Sequence, residues 1–562
     1  MKTRLRTRAV AALALLAGVA CADLEVTNPN DPDAERALKT PDDVESLIAG
    51  SLNTWFGAYY DVERGSPGAF LSSQSFQHSS TPANFAMLHY SAIPRAGIPN
   101  DPAGGDPYTY MAEPWSDSYG ALAAVRSGFL AIEEDPAIAE GLGDLRVQRA
   151  RAFGRFVQGM AHATLAVLYD KAFIVDETVN TEEPETLEPV DYNAVMDAAM
   201  KYFDEAIALS EGAAFTIPAN WIFQTETSAA ELAQIAHSQK ARFRAAVART
   251  PEERRNVDWE AVIADVDAGV PNGWLVTFDW DFDWYHGVID YGNFDGWSQM
   301  NYFMLGMADT SGRYQEWLSL PVAERHPDLP SGRPFLIITP DRRFPQGTTI
   351  DEQRQNPGTV WMIPCTVPEG VDDDSLLPGD PCFANFTISN MWVREARGTW
   401  RWSYYWSHEF GKYNYGVGEN YKDLYEIDPA EMRLLKAEGM YWLGQPGWEA
   451  LVDVTRTAAG LDPISDGSND DCVPRLPSGE CGDLFEALKW EKRMEVRFEG
   501  LFGAPWYFDS RGWGDLYYGT QLQFPVPCQE LDILNRTPCY TFGGVGGEWS
   551  APVSTYAFPF EG

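Results

Sequence analysis

The stretch WEKRMEVRFEG, Trp490-Glu491-Lys492-Arg493-Met494-Glu495-Val496-Arg497-Phe498-Glu499-Gly500, decides how the rest of the chain is read. Its pattern predicts a helix over 482–500, closed by Gly500 in the position that helix ends favour. Glu491, Glu495 and Glu499 then fall at i, i+4 and i+8 on one face. Two readings compete for that row. Glycosidase acids must flank a sugar bond from opposite sides of a cleft, whereas acids stacked along one helix pair with neighbouring bases. Lys492, Arg493 and Arg497 supply those bases, so a structural role is the stronger reading.

Working outward, the same helical periodicity recurs. Upstream it occupies 428–443, with Asp428 as cap and Pro429 as first residue, and 447–459. Near the start, Thr40-Pro41-Asp42-Asp43 reads as an N-cap, a first-turn proline and acids at the positive helix end, with Val44, Leu47, Ile48 and Leu52 following at helical spacing. Further patterns cover about 115–133, 144–169, 191–210, 228–249 and 258–268. In the 191–210 segment Val195, Met196, Ala199, Phe203, Ala206 and Ile207 make one apolar stripe. Such a succession of paired helices predicts a mainly α, repeat-like scaffold. From about 270 to 427 the periodicity fades into aromatic, Gly and Pro-rich runs, and the last sixty residues read as irregular. No Ser/Gly linker divides the chain, so 40–562 is expected to be one domain with a loop-rich insertion.

The N-terminus has the build of an export signal. Lys2, Arg4, Arg6 and Arg8 precede the apolar run Ala9 to Ala20, too short for the roughly twenty residues of a spanning helix. Residues 1–20 are read as the signal peptide. Gly18-Val19-Ala20-Cys21 resembles a bacterial lipobox with Gly where Leu is preferred; cleavage after Ala20 by ordinary signal peptidase is the other reading. Residues 21–39, rich in Asn, Asp and Pro, read as a tether. The six other cysteines fall into local couples, Cys365 with Cys382, Cys472 with Cys481, and Cys528 with Cys539. Six cysteines allow fifteen connectivities, of which neighbour pairing is the simplest for an exported chain. Cys21 is then the odd one, as an acylated anchor would be. No C-x-x-C occurs and no His stands at zinc-ligand spacing.

Several of these stretches, in order, are similar to the SusD/RagB proteins, cell-surface nutrient-binding lipoproteins. Thr40 to Ser51 (TPDDVESLIAGS) resembles that family's first helix, and Ala430 to Gly439 (AEMRLLKAEG) its late R-L-x-x-A-E helix. Val454 to Leu461 (VTRTAAGL) resembles the segment that comes next, with Thr455 for the usual Asn. Trp490 to Gly500 resembles the E-R-x-x-E-x-x-x-E-G helix, with Lys492 for the usual Arg. Asp509 to Leu516 (DSRGWGDL) and Phe524-Pro525-Val526-Pro527 resemble the segments that succeed this helix in the family. The resemblance implies tetratricopeptide-type helix pairs, a ligand site in the irregular insertion, and an outer-membrane lipid anchor at Cys21. It also implies a SusC-like TonB-dependent barrel as partner, no catalytic activity, no cofactor, and ligands that are mostly oligosaccharides.

Composition narrows the partners. A formal net charge of −40 repels phosphate backbones, so nucleic acid is not expected as a ligand. Twenty Trp, 25 Tyr and 29 Phe at modest hydropathy suggest that some rings serve a surface. Phe278 to Tyr285 (FDWDFDWY) alternates ring and acid with a strand's period of two, placing Phe278, Trp280, Phe282 and Trp284 on one face and Asp279, Asp281 and Asp283 on the other. A half-buried strand with rings in the core is the default reading. The other is a glycan grip formed with Tyr291, Asn293, Asp295 and Trp297. A calcium loop is disfavoured by Trp284 at the position that needs Gly. Trp400-Arg401-Trp402-Ser403-Tyr404-Tyr405-Trp406 is a second cluster, with Trp400, Trp402, Tyr404 and Trp406 together on one side and Arg401 and Tyr405 opposite. A secreted hydrolase using acids of 279–295 is the alternative from another class, and peptide cargo is a third option. His162 and His286 lack a triad pattern, and no G-x-S-x-G elbow or P-loop occurs.

Overall fold

A computed structural model describes residues 38–80, 84–180, 183, 186–292, 298–325, 335–358, 386–388, 403–407, 421–536, 538–541 and 550–559. The leader and Cys21, the Cys365–Cys382 couple, and Asn293, Asp295, Trp297, Trp400 and Trp402 lie outside the described residues.

The chain is mainly helical. The helices that build its scaffold are α1 (Pro41–Tyr59), α2 (Gly68–Gln74), α3 (Asp106–Glu134), α4 (Pro136–Leu168), α5 (Tyr192–Ser210), α6 (Ala229–Ala246) and α7 (Trp259–Ala268). They continue as α8 (Pro429–Trp442), α9 (Trp448–Ala458), α10 (Leu484–Glu495), α11 (Pro505–Trp513) and α12 (Cys528–Ile533). Their starts reflect local chemistry. Thr40 accepts the Asp43 N–H at 3.2 Å, Asp191 those of Asn193 and Ala194, and Ser228 forms a reciprocal box with Glu231. The longer helices pack in succession: α1 on α3, α3 on α4, then α5, α6, α7, α8 and α9 in turn, with α10 against both α8 and α9. The stack therefore runs from α7 to α8 across the insertion as though it were absent. The ends of that insertion are zipped together, β1 (Trp274–Asp279) pairing antiparallel with β2 (Tyr421–Ile427) from Tyr421↔Asp279 to Ile427↔Trp274.

Helix C-termini leave orphan carbonyls and a partial negative charge, and buried arginines meet them. Arg249 donates to the carbonyls of Ala166 and Tyr169, both at 2.7 Å, at the end of α4. Arg511 donates to Val167 at 2.9 Å and to Ala246 at 2.8 Å, tying the ends of α4 and α6 together. Arg254 adds a bond to Ala245 at 2.7 Å.

The 490–500 stretch departs from its expected form. The helix stops at Glu495 rather than Gly500, and Phe498, Gly500, Leu501 and Phe502 all take positive φ. Side chains end it: the Trp506 indole donates to the carbonyls of Arg493 and Val496, and Arg497 donates to that of Met494. Phe498 turns into the core, so Glu499 leaves the row. Glu491 and Glu495 are buried and both grip Arg343, at 2.8 and 2.7 Å, with Asp341 on the same guanidinium at 2.8 Å. The bases expected to pair with them are engaged elsewhere, Lys492 with Asp509 at 2.8 Å and Arg493 with Asp515 at 2.6 Å. The ion pairs thus join elements instead of running along one helix.

Other expectations are also corrected. The last sixty residues are not wholly irregular, since α11 and α12 fall there. Described parts of the insertion build a second core, in which Tyr302, Phe303, Trp317 and Phe344 pack with Trp490, Met494 and Trp506. Two of the local cysteine couples are bonded, Cys472–Cys481 and Cys528–Cys539.

Candidate functional site

The turn after α1 is the first component. The Asp61 carboxylate accepts the N–H groups of Glu63 at 3.0 Å and Arg64 at 3.3 Å, an Asx turn that aims the Glu63 side chain outward. Close approach to α3 requires two glycines. A Cβ on Gly57 would lie 2.6 Å from Asp117 Oδ2, and one on Gly65, at φ +111°, would lie 2.5 Å from the Glu113 Cβ. The second component is the segment after β1. It does not continue as a strand: Asp279 caps the N–H of Asp281, residues 280–282 form a 3-10 turn, and Asp283 is left-handed at φ 60°. Asp279 and Trp284 then exchange two backbone hydrogen bonds of 3.1 Å, doubling the chain back. The period-two faces expected for 278–285 therefore do not form.

That reversal sorts the sequence-predicted residues. Trp284 is 1% exposed, wedged against Phe56 and Phe223, and presents no face to a ligand. Trp280 is half-buried with its ring edge-on to Tyr285, 4.1 Å between centroids. His286 is buried against Tyr60, and burial lowers its imidazole well below its ordinary value. Gly287 bonds the Tyr60 carbonyl, docking 285–292 on the turn after α1. Tyr291 thereby reaches Glu63: its hydroxyl donates to Glu63 Oε1 at 2.7 Å, and its ring meets Phe85 edge-on at 4.3 Å. Tyr110, on the first turns of α3, meets the same Phe85 at 5.9 Å. Burial, and the carboxylates nearby, push both tyrosine hydroxyls above their ordinary value.

Tyr404 lies apart from this group, packed against the second core while Trp280 and Tyr291 pack against the first. The burial around it alternates as expected, Tyr404 and Trp406 half-buried and Tyr405 buried, although the strand itself begins only at Tyr405 (Tyr405–Ser407).

Phe85, Tyr110 and Glu63 were not singled out from the sequence. They sit in stretches with no repeating pattern, and only the fold brings them to Tyr291. The resulting face offers two half-buried rings, one buried ring behind them, and an exposed carboxylate held in place. Rings of this kind stack on the C–H faces of a sugar while carboxylates take its hydroxyls. Beside them, burial raises Asp61 and Asp117 to about 6, against the pull of Arg64. Among the described residues no group of three or more His, Cys, Asp or Glu side chains could hold a metal ion, and no helix is long and apolar enough to cross a membrane. Glu491 and Glu495, locked on Arg343, are closed to any substrate.

No protein-family model and no curated protein matches this chain. A SusD superfamily protein from Bacteroides vulgatus is 12% identical, with 88% of this chain and 91% of that one covered and a TM-score of 0.48. For a SusD homolog from Bacteroides thetaiotaomicron the values are 13%, 92%, 98% and 0.48. For a SusD-like carbohydrate binding protein from Bacteroides vulgatus they are 13%, 93%, 94% and 0.46. The chain is thus similar, over most of its length and at low identity, to solved structures of SusD-like proteins.

Proposed function

We propose that this protein is a non-catalytic, surface-anchored binding protein of SusD/RagB type, which captures oligosaccharides and passes them to a SusC-like TonB-dependent barrel. The observation that carries the binding step is the Tyr110–Phe85–Tyr291 ring group with Glu63 fixed beside it. Such a face is pre-organised: the rings and the carboxylate are held by one another before any ligand arrives. Asn293, Asp295 and Trp297 come directly after Tyr291 in sequence, and with Trp280 they extend the proposed grip. Trp400, Trp402 and Tyr404 are proposed as a second contact strip. The anchor, outer-membrane location and barrel partner rest on the leader, on Cys21 and on the ordered motifs from Thr40 to Pro527.

A glycan hydrolase is the second reading, favoured by Asp61, whose raised carboxyl stands near Tyr110, and by the raised carboxyl of Asp117 near Asp61. Incubating the purified protein with a panel of polysaccharides separates the two. Retention without new reducing ends supports capture, and new reducing ends support hydrolysis. Binding of peptides with no polysaccharide retained would leave the architecture and change the cargo.

A further inference from the structure

Between α3 and α12 lies a slot of about 490 Å³, within the range of small-ligand sites. Its floor is buried and aromatic, with Trp115 2% and Phe173 6% exposed, while Ile533 at the rim is 63% exposed. The outer wall is fastened, because the Cys528–Cys539 disulfide starts at the first residue of α12. Tyr119 fixes the inner wall, its hydroxyl bonding both the carbonyl and the N–H of Phe173, at 2.9 and 2.7 Å.

The polar groups of the slot stand at opposite ends. The Trp115 side chain donates to the Glu530 carboxyl, which burial raises above its ordinary value. Arg126 lies eleven residues further along α3, about 16 Å at 1.5 Å per residue. One of its terminal nitrogens is spent on the Val179 carbonyl at 2.9 Å, but its Nε–H is buried without an acceptor. Among the described residues no carboxylate pairs with this guanidinium, so the Arg126 end of the slot carries a positive charge. The Glu530 end, acidic and desolvated, repels an anion.

We propose that this slot is a second binding site, for an elongated amphiphile whose apolar body lies along Trp115, Phe173 and Ile533 and whose anionic head bonds Arg126. It is separate from the Tyr110–Tyr291 face and does not depend on the function proposed for that face.

The test is calorimetric titration of the full mature chain with dodecanoate, kept below its micellar concentration, alongside dodecyltrimethylammonium, which has the same tail and the opposite charge. Dodecanoate is expected to bind one to one, at least about tenfold more tightly than the cationic probe. Arg126→Gln should weaken dodecanoate by about tenfold or more. Ala123→Trp, which fills the slot from an exposed helix position, should abolish binding of both probes while far-UV circular dichroism stays unchanged. Absence of saturable dodecanoate binding overturns the proposal. So does binding that both substitutions leave intact, or equal affinity for the two head groups.

Discussion

Tyr291 has two tasks in the proposed glycan face. Its ring is one wall of that face, and its hydroxyl holds Glu63 at 2.7 Å. Tyr291→Phe keeps the wall and releases the carboxylate, so affinity for a retained glycan should fall only a few-fold; Tyr291→Ala loses both, and should cost about tenfold or more. Calorimetry on the two variants checks the order. His162, considered as a catalytic group at the sequence level, has a different task. Its Nδ1 donates to the Gln158 carbonyl at 2.8 Å and its Nε2 accepts the Val175 N–H at 3.1 Å, which fixes a neutral ring. Burial lowers its pKa to about 4. Because the unfolded chain binds the proton more readily, stability from this group is full above about 6.5 and is lost as pH falls through about 4. Its worth is on the order of 3 kcal/mol. In His162→Gln the fall of stability between pH 6.5 and 4 should be shallower, as read from denaturant midpoints across that range. An unchanged slope would contradict the neutral-ring assignment.

The elements show what the sequence could and could not convey. Nine helices are legible from periodicity and caps, with starts such as Thr40 and Asp428 placed by a side-chain oxygen and an adjoining proline. The end of α10 was not legible, because Trp506 and Arg497 stop it from outside the local pattern. The row of glutamates was visible, whereas their partner Arg343 lies some 150 residues away. Within the candidate site, Tyr291 and Trp280 could be named from aromatic density. Glu63, Phe85 and Tyr110 could not, since no spacing links residues that meet only after α1, α3 and the 285–292 segment dock. Conversely, FDWDFDWY promised a strand, but the Asp279 side chain competes for the backbone and turns it. These contacts can be tested by removing them. Arg343→Met strands Asp341, Glu491 and Glu495 together in the interior, and should destabilise the fold by about 3–5 kcal/mol, read by denaturant unfolding. Replacing Cys472 and Cys481 by Ser opens a short loop and should cost about 2–3 kcal/mol by the same measurement.

At the scale of the whole molecule, a helical stack is interrupted once, between α7 and α8, and the β1–β2 pair closes the interruption so that the stack continues through it. The division of labour is physical. Stacked helices, tied by buried arginines, supply rigidity, and the turn after α1, the first turns of α3 and the segment leaving β1 meet so that Glu63, Tyr110 and Tyr291 gather around Phe85. A net charge of −40 favours solubility and disfavours polyanions such as nucleic acid. Glycan capture on the Tyr110–Tyr291 face is tested most directly by affinity electrophoresis through gels containing the polysaccharide retained in the panel. The native chain is run beside a Tyr110→Ala, Tyr291→Ala double variant. Strong retardation of the native protein is expected, with loss of that retardation in the double variant and equal mobility of the two in a gel without glycan. Retardation of the double variant equal to that of the native chain would contradict capture on this face.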